Sequence, residues 1–215
     1  MVTIKKDLRA RFVGARDQEQ RPTCLAFALS DAHAADRPAH PVLSADYLYY
    51  YGLRRMPVNH GDNGVGLDEA SEALHNDGQP LEKDWPYSPV LPADLSRWKP
   101  PAKLHVMHAT TTTIPDKFSA ICATLDLDRP VVVIFQPTER FYFPNRSGFL
   151  TPRMPDPDLP QLHAVVAVGY GGKDGDRHVL VRNSWGTGWG QDGHAWLAED
   201  YLSPRLSSLA SIKGH

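Results

Sequence analysis

The 215-residue chain is 41% apolar and 22% charged with a formal net charge of −2, the composition of a soluble globular protein rather than a disordered one. That charge argues against nucleic acid as the main partner. No apolar run reaches the roughly 20 residues of a membrane span, and the opening MVTIKKDLRARF lacks the apolar centre of a signal peptide.

Two cysteines cannot build the disulfide framework of a small secreted domain. The chain is therefore expected in a reducing, cytoplasmic setting without a membrane partner, with delivery to another compartment or cell left open. The length suits a single domain of two lobes with a sizeable core.

Residues 1–17 read as a surface arm or first strand. Pro22 and Thr23 then punctuate the chain, and Cys24 to Ala35 carries apolar residues at helical spacing, Leu25, Ala28, Leu29 and Ala32. Thr23 is the expected N-cap, which sets Cys24 in the first turn, where unpaired amides and the positive dipole end favour a thiolate. Two amphipathic helices follow, Ser44 to Arg55 and Leu67 to Asp77, and complete a helical lobe in which Tyr47, Tyr49, Tyr50 and Tyr51 are packing residues. The intervening NHGDNGVGL has glycines that permit close approach of another backbone, or form a plain turn.

Residues 78–101, rich in Pro and Trp, read as an ordered loop crossing between lobes, with the boundary near residue 105. Beyond it come an extended LHVMHATTTT, a helix from Asp116 to Leu125 whose inner face includes Cys122, and a strand VVVIFQ. His105 and His108 fall on opposite faces of an extended segment, so no metal site is expected, nor any cofactor. Pro137 to Pro160 reads as a long surface loop around a short aromatic strand, FYF, near a cleft.

The strand HAVVAVGYGG is apolar enough to be buried on both faces, with His163 at its solvent end. The Asp-Gly turn in KDGD makes the next strand return antiparallel and carries Asn183 back toward His163. An Asn beside a His fixes the ring's tautomer and frees the other nitrogen to move a proton. His178 and His194 are read as packing or surface residues of the same sheet.

RDQEQRPTCLAFALSDAHAA resembles the active-site Cys helix of the papain-like cysteine peptidases, and the His163 strand with NSWGTGWG resembles their His strand and Asn-Ser-Trp-Gly loop. LSADYLYY, GVGLDEASEALHNDG and WPY look like the family's second and third helices and the loop that follows. The resemblance implies an α+β fold of two lobes, a helical lobe over 1–105 and an antiparallel β-sheet or barrel lobe over 106–215, with a cleft between them.

It also implies roles: Cys24 as nucleophile, His163 as base, Asn183 as its orienter, and Gln18, six residues before the Cys, as oxyanion donor with the Cys24 amide. Gln20 is an equally good glutamine, and only the family spacing selects Gln18. Trp185 would cover the His163 to Asn183 contact. Gly64 and Gly66 would pair with the substrate main chain, and Leu67, Ile134 and Ala164, with Leu162 at the rim, would hold the second residue before the cut.

An ordinary thiol near pKa 8.5 is only about 3% ionised at pH 7, so Cys24 needs His163. The implied reaction is peptide or isopeptide hydrolysis of a polypeptide substrate through a thioester. Amine transfer from that thioester, and a binding module without turnover, are the alternatives. Family members are commonly made with an inhibitory pro-segment, and about twenty residues precede Cys24, so the expectation is either control from outside the chain, as by an activating or inhibitory protein partner, or a pro-segment already removed.

Three positions depart from the family pattern: Glu19 and Pro22 for glycines, and Leu25 for a tryptophan. Pro22 removes a backbone donor. Glu19 is expected to raise the pKa of Cys24.

Overall fold

A helix whose apolar residues are not confined to one stripe lies inside the molecule, and α1 (Cys24–Ala35) does: ten of its twelve residues are buried, Ser30, Asp31 and His33 among them. The structure, a computed structural model, describes residues 2–57, 64–145, 147–150 and 156–214. α2 (Ala45–Leu53) and α3 (Leu67–Asn76) pack with α1. The remaining helices are α4 (Phe118–Asp126) and the short α5 (Glu199–Leu202).

The strands are β1 (Thr3–Asp7), β2 (Ala109–Ile114), β3 (Val131–Phe135), β4 (Phe149–Leu150), β5 (His163–Lys173), β6 (Asp176–Arg182), β7 (His194–Ala198) and β8 (Leu206–Gly214). They form one sheet in the order β2-β8-β3-β5-β6-β7-β4, with β1 pairing to β5. Every pairing is antiparallel except β4 with β7. The chain therefore has an α+β architecture, with its helices set against a mostly antiparallel sheet.

Residue alternation in the central strands sorts the core into two faces. Val132, Ile134, Ala164, Val166 and Val168 pack toward α1, α2 and α3. Val131, Val133, Phe135, Val165 and Ala167 pack on the other face with Phe118, Ile121 and Leu125 of α4. Burial on both faces accounts for the nearly continuous Val and Ala runs. Cys122 lies half-buried at the edge of this second cluster as a free thiol.

Two local features set the path of β5. Asp174 and Gly175, with φ of 56° and 92°, close the tight turn into β6, as the hairpin signal requires. On the opposite edge, a Cβ at Gly169 or Gly171 would stand 2.6 Å from the carbonyl oxygen of Lys6 or Thr3. Glycine at these positions lets β1 lie against β5, so residues 3–7 belong to the sheet although they precede the helices.

Two local expectations are corrected. FYF is not a strand: Glu139–Tyr142 is a 3-10 turn that sends Phe141 into the core while Phe143 stays 83% exposed, whereas a strand would set both on one face. Thr23 occupies the N-cap position without capping the helix. Its Oγ1 lies 3.0 Å from Tyr87 Oη instead. Of the glycine-bearing loop NHGDNGVGL, residues 59–63 lie outside the described residues, as do residues 146 and 151–155 of the Pro-rich stretch.

Candidate active site

α1 packs across β5 and sets its first residue, Cys24, against the strand's opening residues, with the Ala164 amide within reach of the sulfur. His163 begins β5 at the sheet's end, opposite Phe135. β6 ends at Arg182, so Asn183 leaves the neighbouring strand beside His163, and His163 Nε2 stands 2.8 Å from Asn183 Oδ1.

The proton positions follow from the partners. The Ser184 backbone amide also reaches Asn183 Oδ1, at 2.8 Å, and an amide N–H can only donate. The atom facing it is therefore the oxygen, so His163 Nε2 must carry the hydrogen and Nδ1 is left bare as a base. Trp185 covers the imidazole with ring centroids 4.7 Å apart, and Tyr142 stacks on Trp185 at 4.9 Å and 9°. Asn183 Nδ2 is buried and has no hydrogen-bond partner among the described residues.

Gln18 is 6% exposed and held at both ends. Its Oε1 accepts from Ser184 Oγ at 2.6 Å, and its Nε2 donates to the Arg21 carbonyl at 2.8 Å. Among the described residues its Nε2 makes no second hydrogen bond. The Cys24 amide, at the first position of α1, likewise has no carbonyl within its own helix to bond.

Burial pushes the Cys24 thiol up, partly offset by the amides of Ala164, Leu25 and Cys24. Glu19 is not among the groups acting on it, which corrects the expectation drawn from its sequence position. Its side chain is exposed, its φ is 50°, and its amide donates to Asp17 Oδ1 at 2.8 Å. Burial pushes His163 down to about 4, with the Asn183 contact opposing. Each group on its own is held neutral at pH 7.

A cleft of about 1180 Å³ joins these groups to Gly64, Gly66, Leu67, Ile134, Leu162 and Ala164. Gly64 takes a φ of 76°, and a Cβ there would stand 3.3 Å from the Pro22 carbonyl oxygen, so the cleft floor needs glycine at this point. Leu162 is 53% exposed at the rim. Sequence reasoning passed over Met56, Tyr142, Ser207 and Ser208, which also line it. The two serines open β8 and give no local signal, while Tyr142 was readable as an aromatic near the cleft but not as a stacking partner.

Outside the cleft lining, Arg182 is 2% exposed and reaches α1 by donating from Nε to Asp31 Oδ2 at 2.7 Å. Arg16 donates to Asp31 Oδ1 at 2.8 Å. Burial pushes the Asp31 carboxyl up, but Arg16 and Arg182 outweigh it and leave its pKa lowered. This ion cluster fastens the helix of Cys24 to the strand preceding Asn183. Among the described residues no group of His, Cys, Asp and Glu is disposed to hold a metal, and no helix is long and apolar enough to cross a membrane.

The family profile described as papain family cysteine protease matches residues 5–210. The chain belongs to the papain family. Mouse pro-cathepsin H is 35% identical over 158 residues, covering 71% of this chain and 46% of that protein. Cysteine proteinase COT44 of Brassica napus is 33% identical over 146 residues, covering 67% and 43%. The chain thus spans about half the length of these curated relatives.

Among solved structures, xylellain, a cysteine protease from Xylella fastidiosa, superposes with a TM-score of 0.78 at 25% identity, covering 99% of this chain and 87% of that one. The Carica candamarcensis cysteine protease CMS1MS2, solved in complex with E-64, superposes with a TM-score of 0.69 at 23% identity, covering 97% and 96%. The two-lobed papain-like fold is common to all three.

Proposed function

We propose that the chain is a cysteine endopeptidase that hydrolyses peptide or isopeptide bonds of polypeptides, with Cys24 as nucleophile, His163 as general base and acid, Asn183 as its orienter and Gln18 as oxyanion donor. The observation that carries this reading is the bare Nδ1 of His163, left so by the Asn183 and Ser184 contacts, in the cleft that Cys24 lines.

Cys24 Sγ gives its proton to His163 Nδ1 and attacks the carbonyl carbon. The two charges form together, each answering the desolvation of the other. The carbonyl oxygen becomes an oxyanion and accepts from the Cys24 amide and the unclaimed Gln18 N–H. Collapse expels the amine, which takes the His163 proton. Water, deprotonated by the same nitrogen, then cleaves the thioester and restores the thiol.

Leu67, Ile134 and Ala164 form the pocket for the second residue before the cut, and Gly64 and Gly66 offer backbone to the substrate chain. A cytoplasmic, reducing setting suits a chain whose two cysteines are both free thiols.

The test is labelling with an epoxysuccinyl inhibitor across pH, with peptide mapping, on the wild type and His163→Ala, alongside hydrolysis of a peptide library with and without an added amine. One fast adduct on Cys24 that needs His163, together with hydrolysed products, supports the reading. No adduct, or an adduct formed as fast without His163, overturns it. Products joined to the amine, with little hydrolysis, would make the chain a transferase.

A further inference from the structure

The oxyanion role proposed for Gln18 depends on which way its side-chain amide is turned. Its Oε1 faces the hydroxyl of Ser184 and its Nε2 faces the carbonyl of Arg21. A hydroxyl can donate or accept, so Ser184 would tolerate either end of the amide. A carbonyl only accepts, so the Arg21 oxygen alone forces the NH2 end toward itself and leaves the second N–H available. Turning the amide over would set two oxygens together at 2.8 Å. The position of one backbone carbonyl therefore decides whether Gln18 offers a donor at all.

The Thr23 amide donates to that carbonyl at 2.8 Å, and the residue that bears it is anchored by the Arg21 side chain. It is 7% exposed. Its Nη1 donates to Asp46 Oδ1 at 2.6 Å and to the Ser88 carbonyl. Its guanidinium carbon lies 5.3 Å from the Tyr49 ring centre, 4.9 Å from Tyr87 and 5.3 Å from Trp98. Nε and Nη2 have no hydrogen-bond partner among the described residues, so the ring faces take up what hydrogen bonds leave over.

Asp46 is 1% exposed, stands in the first turn of α2, where a carboxylate is favoured, and accepts from Trp98 Nε1 at 3.2 Å. Tyr87 closes the arrangement: its ring lies against Arg21 and its hydroxyl donates to the Gln18 carbonyl at 2.7 Å. The loop from Gln18 to Arg21 is gripped at both ends.

We propose that Arg21, clamped by Asp46 and the Tyr49, Tyr87 and Trp98 rings, is a positioning residue that sets the orientation of the Gln18 amide for oxyanion stabilisation. The proposal rests on the peptidase reading of the site. Arg21 itself does not touch the reacting atoms. A planar guanidinium fits this box as a lysine ammonium does not, because it stacks on rings and pairs with a carboxylate at once.

The experiment is a double-mutant cycle on peptide hydrolysis, run with Arg21→Lys, Arg21→Met, Asp46→Asn and Gln18→Ala, with alkylation of Cys24 by iodoacetamide as a parallel readout. Alkylation at a saturated carbon develops no oxyanion, so it reports the thiolate and the fold but not Gln18. Expected for the Arg21 and Asp46 variants is a fall in kcat of about tenfold, part of the roughly 10²-fold worth of an oxyanion donor, with KM within about twofold and alkylation unchanged. In the Gln18→Ala background the same substitutions should cost nothing further.

Arg21→Lys keeps the charge and serves if Arg21→Met fails to fold. A loss that persists in full in the Gln18→Ala background, or one that slows alkylation equally, overturns the proposal and makes the clamp merely structural. If Gln18→Ala alone hydrolyses as fast as the wild type while Cys24 still alkylates, the oxyanion role of Gln18 falls, and the positioning role falls with it. A silent Cys24 in the wild type would instead overturn the peptidase reading itself.

Discussion

The backbone amide of Ser184 donates to Asn183 Oδ1 at 2.8 Å, and this short contact between adjacent residues decides the proton on a third. Because the amide cannot accept, Asn183 turns its oxygen toward His163 and the imidazole carries its hydrogen on Nε2. Replacing Asn183 by Ala removes the acceptor and lets either tautomer form. A buried hydrogen bond is worth about 1–2 kcal/mol, so kcat/KM should fall roughly tenfold or somewhat more. Steady-state kinetics on a peptide substrate check this, and an unchanged kcat/KM would remove Asn183 from the mechanism.

The pH dependence of Cys24 reactivity separates the pair from its members. Burial raises the thiol and lowers the imidazole to about 4, so Cys24 without its partner ionises only above the ordinary thiol range. In the proposed pair the proton would pass from Cys24 to His163, and the onset of reactivity would belong to both groups together. His163→Ala should therefore move the onset of iodoacetamide alkylation to alkaline pH and nearly abolish it at pH 6–7. Rates followed from pH 4 to 10 in both proteins are the check.

Stability at acid pH should depend on His33. This residue is fully buried in α1, donates from Nδ1 to Gln79 Oε1 at 3.0 Å and accepts at Nε2 from Arg37 Nε at 3.1 Å. Burial, aided by Arg37 and opposed by the Gln79 contact, pushes it down to about 4 from the ordinary 6.5. A histidine lowered in the folded state binds fewer protons than the unfolded chain between those values. Stability is therefore retained above about pH 6.5 and lost progressively as pH falls toward 4, by roughly 3 kcal/mol for such a shift. His163 acts in the same direction. His33→Gln should flatten the fall in Tm between pH 7 and 4.5 whatever it does to Tm at neutrality, and an unaltered slope would exclude His33 as the cause.

Much of this molecule was legible locally. The bounds of α1 follow from Pro22 and an unbroken apolar spacing, and the Asp-Gly turn gave the β5 to β6 hairpin that brings Asn183 to His163. The misses are non-local. FYF reads as a strand by residue type, but Pro137 and Pro144 flank it, and Phe141 finds Trp189 at 4.9 Å between ring centres, so a tight turn wins. Thr23 looks like a cap, but its hydroxyl is engaged with Tyr87, sixty-four residues on. The sequence does not single out Arg21, because its partners at 46, 49, 87 and 98 are scattered along the chain.

The Asp31 cluster predicts a large effect on stability away from the cleft. Asp31→Ala would leave Arg182 buried without its carboxylate and Arg16 without its nearer acid, the situation in which breaking a buried pair costs about 3–5 kcal/mol. For a chain of this length that corresponds to a Tm lower by on the order of 10 °C. Thermal unfolding checks it, and a drop of only a degree or two would mean that the loop carbonyls of Val13 and Gly14, which Arg182 also holds at 2.8 and 2.9 Å, suffice alone.

Substrate choice provides the last prediction. Leu67, Ile134 and Ala164 line the cleft, with Ile134 and Ala164 buried, and none of the three offers a polar side chain. A charged residue placed in this pocket would lose its hydration without gaining a partner. A peptide library should show an apolar residue at the second position before the cut. Leu67 opens α3, where a carboxylate is tolerated by the helix dipole, so Leu67→Glu can change the pocket without unfolding the helix. That variant should gain a preference for Lys or Arg at the same position and lose rate on apolar peptides. If the library instead shows a charged preference in the wild type, or if Leu67→Glu changes selectivity at a different position, the pocket assignment is wrong and the substrate lies across the cleft in another register.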